Sequence, residues 1–290
     1  MLIGFDTERI ATGEVAINVS RGGEGTPVLL LHGYPQTHVM WHRVAPALAE
    51  RFTVVCPDLR GYGDSDKPVG GGDHIAYAKR TMARDQLQVM RALGFERFAV
   101  VGHDRGARVA LRMALDHPDA ISHLAVLDIV PTRTIYDTID QQHATTVWRY
   151  FFLIQPPDLP ERMIGNDPEW YLRRTLAEWC DTHGAFCHEA VSEYERCFDR
   201  AAIHASCEDY RAGASIDLEH DQADADRSLT CPTLVLWSKA GLGSSYDVAR
   251  VWRQRAQRLT CQELECGHFL AEERPHETTS ALLSFLADAA

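Results

Sequence analysis

Short apolar, β-branched runs alternate with helix-length segments through the first 130 residues, and that alternation leaves few folds open. The runs are residues 28–31, 53–56, 98–101 and 124–127; the segments between them are 41–49, 75–93 and 106–117. A strand that is apolar on both faces has to be covered on both, as a parallel sheet flanked by helices is. Two further strand–helix pairs close the chain, 233–237 with 248–257 and 261–264 with 275–286. From Pro131 to about Asp226 the pattern is helical, with no convincing strand. The expectation is an α/β core made of 1–130 and 227–290. A helical cap, 131–226, is inserted between two of its strands, where it can act as a lid over a pocket.

The run 98–101 enters Gly102-His103-Asp104-Arg105-Gly106, and a helix follows. A strand, a sharp turn between glycines and a helix are the setting of the G-x-S-x-G nucleophile elbow, here with Asp in place of Ser. Asp between glycines is by itself more often a turn residue or helix cap. Its place between strand and helix favours the other reading, a carboxylate thrust above the sheet and kept ionised by the helix N-terminus. Backbone N–H groups around Tyr34, after the first of these strands, can join that of Arg105 as an oxyanion hole. His268 follows the last strand in Gly267-His268-Phe269. Asp128 directly follows the run 124–127, whereas the rival position, Ser238-Lys239-Ala240-Gly241-Leu242, offers no carboxylate. Asp104, Asp128 and His268 thus read as nucleophile, orienting acid and base.

A carboxylate can displace a leaving group from an sp³ carbon, forming an ester that a His-activated water then hydrolyses. Alkyl halides and epoxides are suitable substrates, and neither needs a metal or an organic cofactor. Arg105 and Arg108 sit one helical turn apart beside Asp104, against the helix dipole. Either alone is more often an ion-pair partner. Together they suggest an anionic ligand, such as the carboxylate of a small organic acid.

Composition excludes other partners. With 29 Lys and Arg against 41 Asp and Glu, the formal charge is −12, which gives little reason to bind nucleic acid or an anionic membrane surface. The N-terminal residues lack a secretory pattern, and no run is long and apolar enough to span a bilayer. Eight cysteines without a C-x-x-C pair read as free thiols of a cytoplasmic protein.

Five motifs are similar to those of the fluoroacetate (haloacetate) dehalogenases, α/β-hydrolase-fold enzymes related to epoxide hydrolases. They are His32-Gly33-Tyr34-Pro35-Gln36, Asp58-Leu59-Arg60-Gly61-Tyr62-Gly63, Gly102-His103-Asp104-Arg105-Gly106-Ala107-Arg108-Val109, Leu127-Asp128-Ile129-Val130-Pro131-Thr132 and Gly267-His268-Phe269-Leu270-Ala271-Glu272-Glu273. The resemblance implies a mostly parallel sheet with a helical cap inserted after the sixth strand. It implies Asp104, Asp128 and His268 as the catalytic set, with Arg105 and Arg108 holding a substrate carboxylate. Tyr210 resembles the family's lid tyrosine and Trp179 a lid tryptophan, and relatives of this kind are often homodimers. One departure is informative. Where those dehalogenases carry a His-Trp pair around the leaving halide, this chain has Arg149-Tyr150. That speaks against defluorination and favours chloro- or bromoacids. It also resembles the paired lid tyrosines of epoxide hydrolases, here Tyr150 and Tyr210, although those enzymes commonly have Trp where Arg105 stands. The alternatives are thus an epoxide hydrolase, for an epoxide that could carry a carboxylate, and, less favoured, a non-catalytic ligand-binding homologue.

Overall fold

The computed structural model describes residues 2–287. Eight strands form one sheet: β1 (Asp6–Ala11), β2 (Ala16–Gly22), β3 (Pro27–Leu31), β4 (Thr53–Pro57), β5 (Phe98–His103), β6 (Ile121–Leu127), β7 (Thr233–Ser238) and β8 (Leu259–Leu264). Their order is β1-β2-β4-β3-β5-β6-β7-β8. Every pairing from β4 to β8 is parallel, and β2 joins both β1 and β4 antiparallel. All six residues of β5 are buried, as a strand covered on both faces requires.

Five helices flank the sheet before and after the cap: α1 (Ala45–Ala49), α2 (Lys79–Ala92), α3 (Asp104–Asp116), and, near the C-terminus, Val248–Arg253 and Pro275–Leu286. α2 packs on α3, and α3 lies against β5 and β6. The segment expected as one helix over 41–49 is a 3-10 turn, His38–Trp41, and then the short α1. Pro46 at the start of α1 supplies no N–H to continue a helix from the preceding residues.

Between β6 and β7 lie eight helices and no strand. They are α4 (Thr132–Asp137), α5 (Gln141–Thr146), α6 (Trp148–Leu153), α7 (Leu159–Gly165), α8 (Pro168–Trp179), α9 (His188–Cys197), α10 (Arg200–Gly213) and α11 (Ile216–Ala223). α10 is the hub of this layer: it packs on α6, α7 and α11, and from Ala205 to Gly213 every residue is buried. Among the described residues no helix is long and apolar enough to cross a membrane. All eight cysteines are free thiols.

Candidate active site

β5 ends at His103 and α3 begins at Asp104, with no residue between them. The chain turns so abruptly that Asp104 takes φ +45°, a left-handed conformation that disfavours any residue with a Cβ. Gly102 and Gly106 make the turn possible: a Cβ on Gly102 would stand 2.5 Å from the Gly106 carbonyl, and one on Gly106 would strike the backbone of Leu31 and His32. The strain, of order 1–3 kcal/mol, lifts the side chain out of the sheet plane. The Tyr34 N–H donates to Asp104 Oδ2 at 3.0 Å. Asp104 is 4% exposed, yet its carboxyl lies below the usual range. Burial opposes its charge, and the neighbouring His268, Arg105, His103 and Arg108 outweigh that effect.

Asp128, directly after β6, is also left-handed, with φ +54°. Its Oδ2 meets His268 Nδ1 at 2.6 Å, and its Oδ1 accepts from the N–H (2.8 Å) and hydroxyl (2.7 Å) of Ser238 at the end of β7. The position that offered no carboxylate in the sequence therefore supplies the two donors that fix Asp128. Burial pulls the His268 pKa down, but the Asp128 contact, with Asp104 and Glu273 behind it, raises it above the ordinary imidazole value. Nε2 of His268 is buried and has no partner among the described residues.

Two residues on the His268 loop and elbow escaped sequence reasoning except as letters in motifs. Glu273, in the one-turn helix Leu270–Glu273, accepts from the N–H of Gly267 (2.9 Å), Phe269 (3.0 Å) and Asp181 (2.9 Å). It therefore grips both neighbours of His268 and a backbone amide of the cap. His103 packs its ring 4.6 Å from that of His268 and donates from Nε2 to the His268 carbonyl at 2.8 Å. Burial, and then the charge of His268, lower its pKa to about 4, so it stays neutral beside the other imidazole.

The two arginines part company. Arg105 gives Nε and Nη2 to the Asp209 carboxylate (2.9 and 2.8 Å), and Nη2 also to its carbonyl (2.7 Å). At most Nη1 remains for a ligand. Arg108 instead donates Nη1 to Val130 O (3.1 Å) and Thr132 Oγ1 (2.7 Å), and Nη2 to the Tyr150 hydroxyl (2.9 Å). Its Nε has no partner, and no carboxylate pairs with it among the described residues. A buried cation with only neutral partners is poorly compensated.

Tyr210, from α10, lies over the Arg105 guanidinium at 4.2 Å and edge-on to Tyr150 at 5.2 Å. Its hydroxyl is buried and finds no partner among the described residues. Burial holds its pKa well above the usual phenol value, with Asp104 and Tyr150 adding to the effect, so the proton stays on oxygen. The Tyr34 side chain is buried edge-on to Trp179, Phe198 and Tyr210. Trp179 stands edge-on to His268 at 5.3 Å, and its carbonyl accepts from the His268 N–H at 2.7 Å. Arg149 makes its contacts within the cap, its guanidinium also lying 5.3 Å from the Trp179 ring. It pairs with Glu178 (2.6 Å), donates to Thr175 Oγ1 (3.1 Å) and stacks on Trp148 at 4.4 Å.

Of these groups Asp104, Arg108, Asp128, Tyr150, Trp179 and His268 line a cavity of about 280 Å³; Arg105, Tyr34, Tyr210 and Arg149 do not. The one cluster with metal-ligand chemistry among the described residues, Asp64, Glu193 and Cys197, is not part of its lining, and Arg196 already bridges Asp64 and Glu193. The cavity therefore joins a strained, ionised carboxylate, an oriented imidazole, the Tyr150 phenol and a guanidinium without a carboxylate partner, a set suited to nucleophilic displacement followed by hydrolysis.

Known proteins resemble this chain along its length. Residues 26–275 match the family described as alpha/beta hydrolase fold. A fluoroacetate dehalogenase from Burkholderia sp is 48% identical, over all of this chain and 96% of its own. A soluble epoxide hydrolase from Corynebacterium sp. (strain C12) is 36% identical over 91% of each chain. Among solved structures, an alpha/beta hydrolase from Nostoc sp PCC 7120 superposes with a TM-score of 0.97 at 55% identity, covering 99% of both chains.

Proposed function

The chain belongs to the α/β-hydrolase family, as an enzyme of the haloacetate dehalogenase and epoxide hydrolase type, and on that premise we propose that it hydrolyses small 2-haloacids to 2-hydroxyacids through an ester on Asp104. The observation that carries the acid specificity is Arg108, a buried guanidinium without a carboxylate partner on the wall of the cavity that holds Asp104.

The substrate carboxylate meets Arg108, with Nη1 of Arg105 in support, which directs C2 toward Asp104. One Asp104 oxygen attacks C2, the C–X bond breaks, and its electron pair leaves with the halide. The hydroxyl of Tyr210, and that of Tyr150 polarised by Arg108, donate to the departing halide. Water then attacks the Asp104 carbonyl carbon, and Nε2 of His268 accepts its proton while Asp128 steadies the imidazolium. The Tyr34 and Arg105 N–H groups receive the oxyanion. Collapse breaks the ester C–O bond, His268 passes its proton to the departing 2-hydroxyacid oxygen, and the low-pKa Asp104 releases the remaining water proton to solvent as its carboxylate is regenerated. With Tyr150 in place of an indole, and in place of an imidazole an Arg149 that is paired with Glu178, fewer donors meet the leaving group, which favours chloride and bromide over fluoride.

A second reading, hydrolysis of an epoxide, is favoured by the adjacent rings of Tyr150 and Tyr210, because two phenols can donate to one nascent alkoxide. One experiment separates the two. His268→Asn blocks ester hydrolysis, so the Asp104 peptide is weighed after incubation with chloroacetate or with epoxides. A carboxymethyl adduct supports the haloacid reading. A hydroxyalkyl adduct formed only from epoxides overturns it in favour of the second, and no adduct from either panel overturns both.

A further inference from the structure

The cavity is larger than a haloacetate. Five non-hydrogen atoms, each allowed the ~30 Å³ of a whole water, fill at most ~150 Å³. The cavity holds about 280 Å³, which leaves at least ~130 Å³, room for four or five further atoms. Its lining is of more than one kind. The polar groups that a haloacid needs are Asp104, Arg108, His268 and Tyr150. Other parts of the wall are apolar, from Ile129, Ile135, Val147 and Leu242. A second polar group then appears: His143 of α5 and Tyr246 of the loop after β7, one from the cap and one from the core. The Tyr246 hydroxyl lies 2.8 Å from Nε2 and 3.2 Å from Nδ1 of His143, with the rings edge-on at 4.9 Å. Neither residue takes part in the chemistry derived above.

We propose that this second set of lining residues forms a subsite for the C2 substituent of the substrate, a short aliphatic chain ending in a neutral hydrogen-bonding group that His143 and Tyr246 receive. The proposal rests on the haloacid reading. At C2, the carboxylate goes to Arg108 and the leaving group to the phenols, so a substituent has the apolar wall left to it. Ile135, Val147 and Leu242 cover a chain of three or four atoms, and burial of each methylene favours the longer acid. The tail is neutral because Glu178 and Asp181 border the same cavity and oppose a second carboxylate, while Arg108, whose charge is felt at Tyr246, opposes an ammonium. Tyr246 and His143 have between them both an N–H or O–H to give and a lone pair to offer, which suits a carbonyl or hydroxyl.

The test compares kcat/KM for three chloroacids with the whole enzyme. They are chloroacetate, 2-chloro-5-oxohexanoate and 2-chloro-5-methylhexanoate, the last replacing the ketone by an isosteric branch. The expected order is ketone, branched acid, chloroacetate, with about tenfold between the ketone and its isostere. In Tyr246→Phe that tenfold advantage should collapse toward unity. Because the comparison is made within one variant, loss of folded protein cancels. If chloroacetate is hydrolysed as well as the ketone acid, or the ketone advantage survives in Tyr246→Phe, the subsite is overturned and the haloacid reading stands. If none of the three acids is hydrolysed, both fall.

Discussion

Asp209 holds Arg105 in a fully buried two-point ion pair, with Oδ2 at 2.9 Å from Nε and Oδ1 at 2.8 Å from Nη2. Lys79 reaches the same carboxylate, and Tyr62 donates to it at 2.7 Å. These cations hold the Asp209 carboxyl far below its usual range despite its burial. The two arginines of one helical turn are thus unequal. Arg105 is a bolt between the elbow and α10, whose Tyr210 ring covers its guanidinium, while Arg108 keeps a charge with no carboxylate partner.

Arg108→Ala should therefore raise KM for chloroacetate by about 10- to 100-fold, the range expected for a lost charge-assisted hydrogen bond. KM for a neutral epoxide should change little. Arg105→Ala should instead lower the thermal midpoint by several degrees, because it takes from the buried Asp209 its two-point cationic partner and leaves it only Lys79 and Tyr62. Steady-state kinetics and calorimetry on the two variants check this. Equal rises in KM for acid and neutral substrates in Arg108→Ala would refute the clamp.

Tyr210→Phe removes a buried hydroxyl that has no partner, so stability should be unchanged or slightly improved. The alkylation half-reaction should nonetheless slow by about 10- to 100-fold, because the departing halide loses a donor. Rapid-quench measurement of halide release in a His268→Asn background isolates that step. Halide release at the parental rate would remove Tyr210 from the leaving-group site.

How far the sequence foretold these relationships depended on distance along the chain. The buried strands were readable because β5 and β6 carry unbroken apolar runs at 98–101 and 124–127, but β1 and β2 were not. β1 (Asp6–Ala11) and β2 (Ala16–Gly22) form the antiparallel edge, and their Asp, Glu, Arg, Asn and Ser residues break the apolar pattern. Asp104 and His268 were legible because each follows a strand within a short motif. Asp209 as the partner of Arg105 was not, since it comes from a cap helix 104 residues away and no spacing rule connects them. Ser238 was passed over for lacking a carboxylate, although an acid displaced to Asp128 needs its own donors at that place. The resemblance puts Arg149 near the substrate, because it stands where the family has the His of its halide-binding His-Trp pair. In the fold its guanidinium answers Glu178 instead, one residue before Trp179, which the sequence could not reveal.

Glu273 should act on one half of the reaction. Its carboxylate takes the N–H on either side of His268, and its charge helps to raise the His268 pKa. In Glu273→Gln the loop keeps one acceptor oxygen and loses the charge, so His268 becomes a weaker base. Ester hydrolysis should slow by about tenfold or more, and its pH dependence should move to lower pH. Alkylation of Asp104 does not use the base and should be little affected, so the ester accumulates at steady state. Mass spectrometry of the Asp104 peptide during turnover reads this directly. If both half-reactions fall together and no ester builds up, Glu273 is merely structural.

Glu272, beside it, predicts a pH dependence of stability. It is 1% exposed; Oε1 accepts from the Tyr194 hydroxyl at 2.6 Å, and Oε2 has no hydrogen-bond partner among the described residues. Burial pushes its pKa up to about 7 from an ordinary 4.5. Between those values the folded protein holds a proton that the unfolded chain has released. Stability from this group is therefore greatest below pH 4.5 and is lost as pH rises to about 7, by a few kcal/mol in order of magnitude. Gln at 272 keeps the Tyr194 contact and cannot ionise, so Glu272→Gln should gain on the parent protein as pH rises from 5 to 8. Urea unfolding of both proteins at those two pH values measures the difference. If the gap between them is the same at pH 5 and pH 8, Glu272 is not carrying a proton in the folded state.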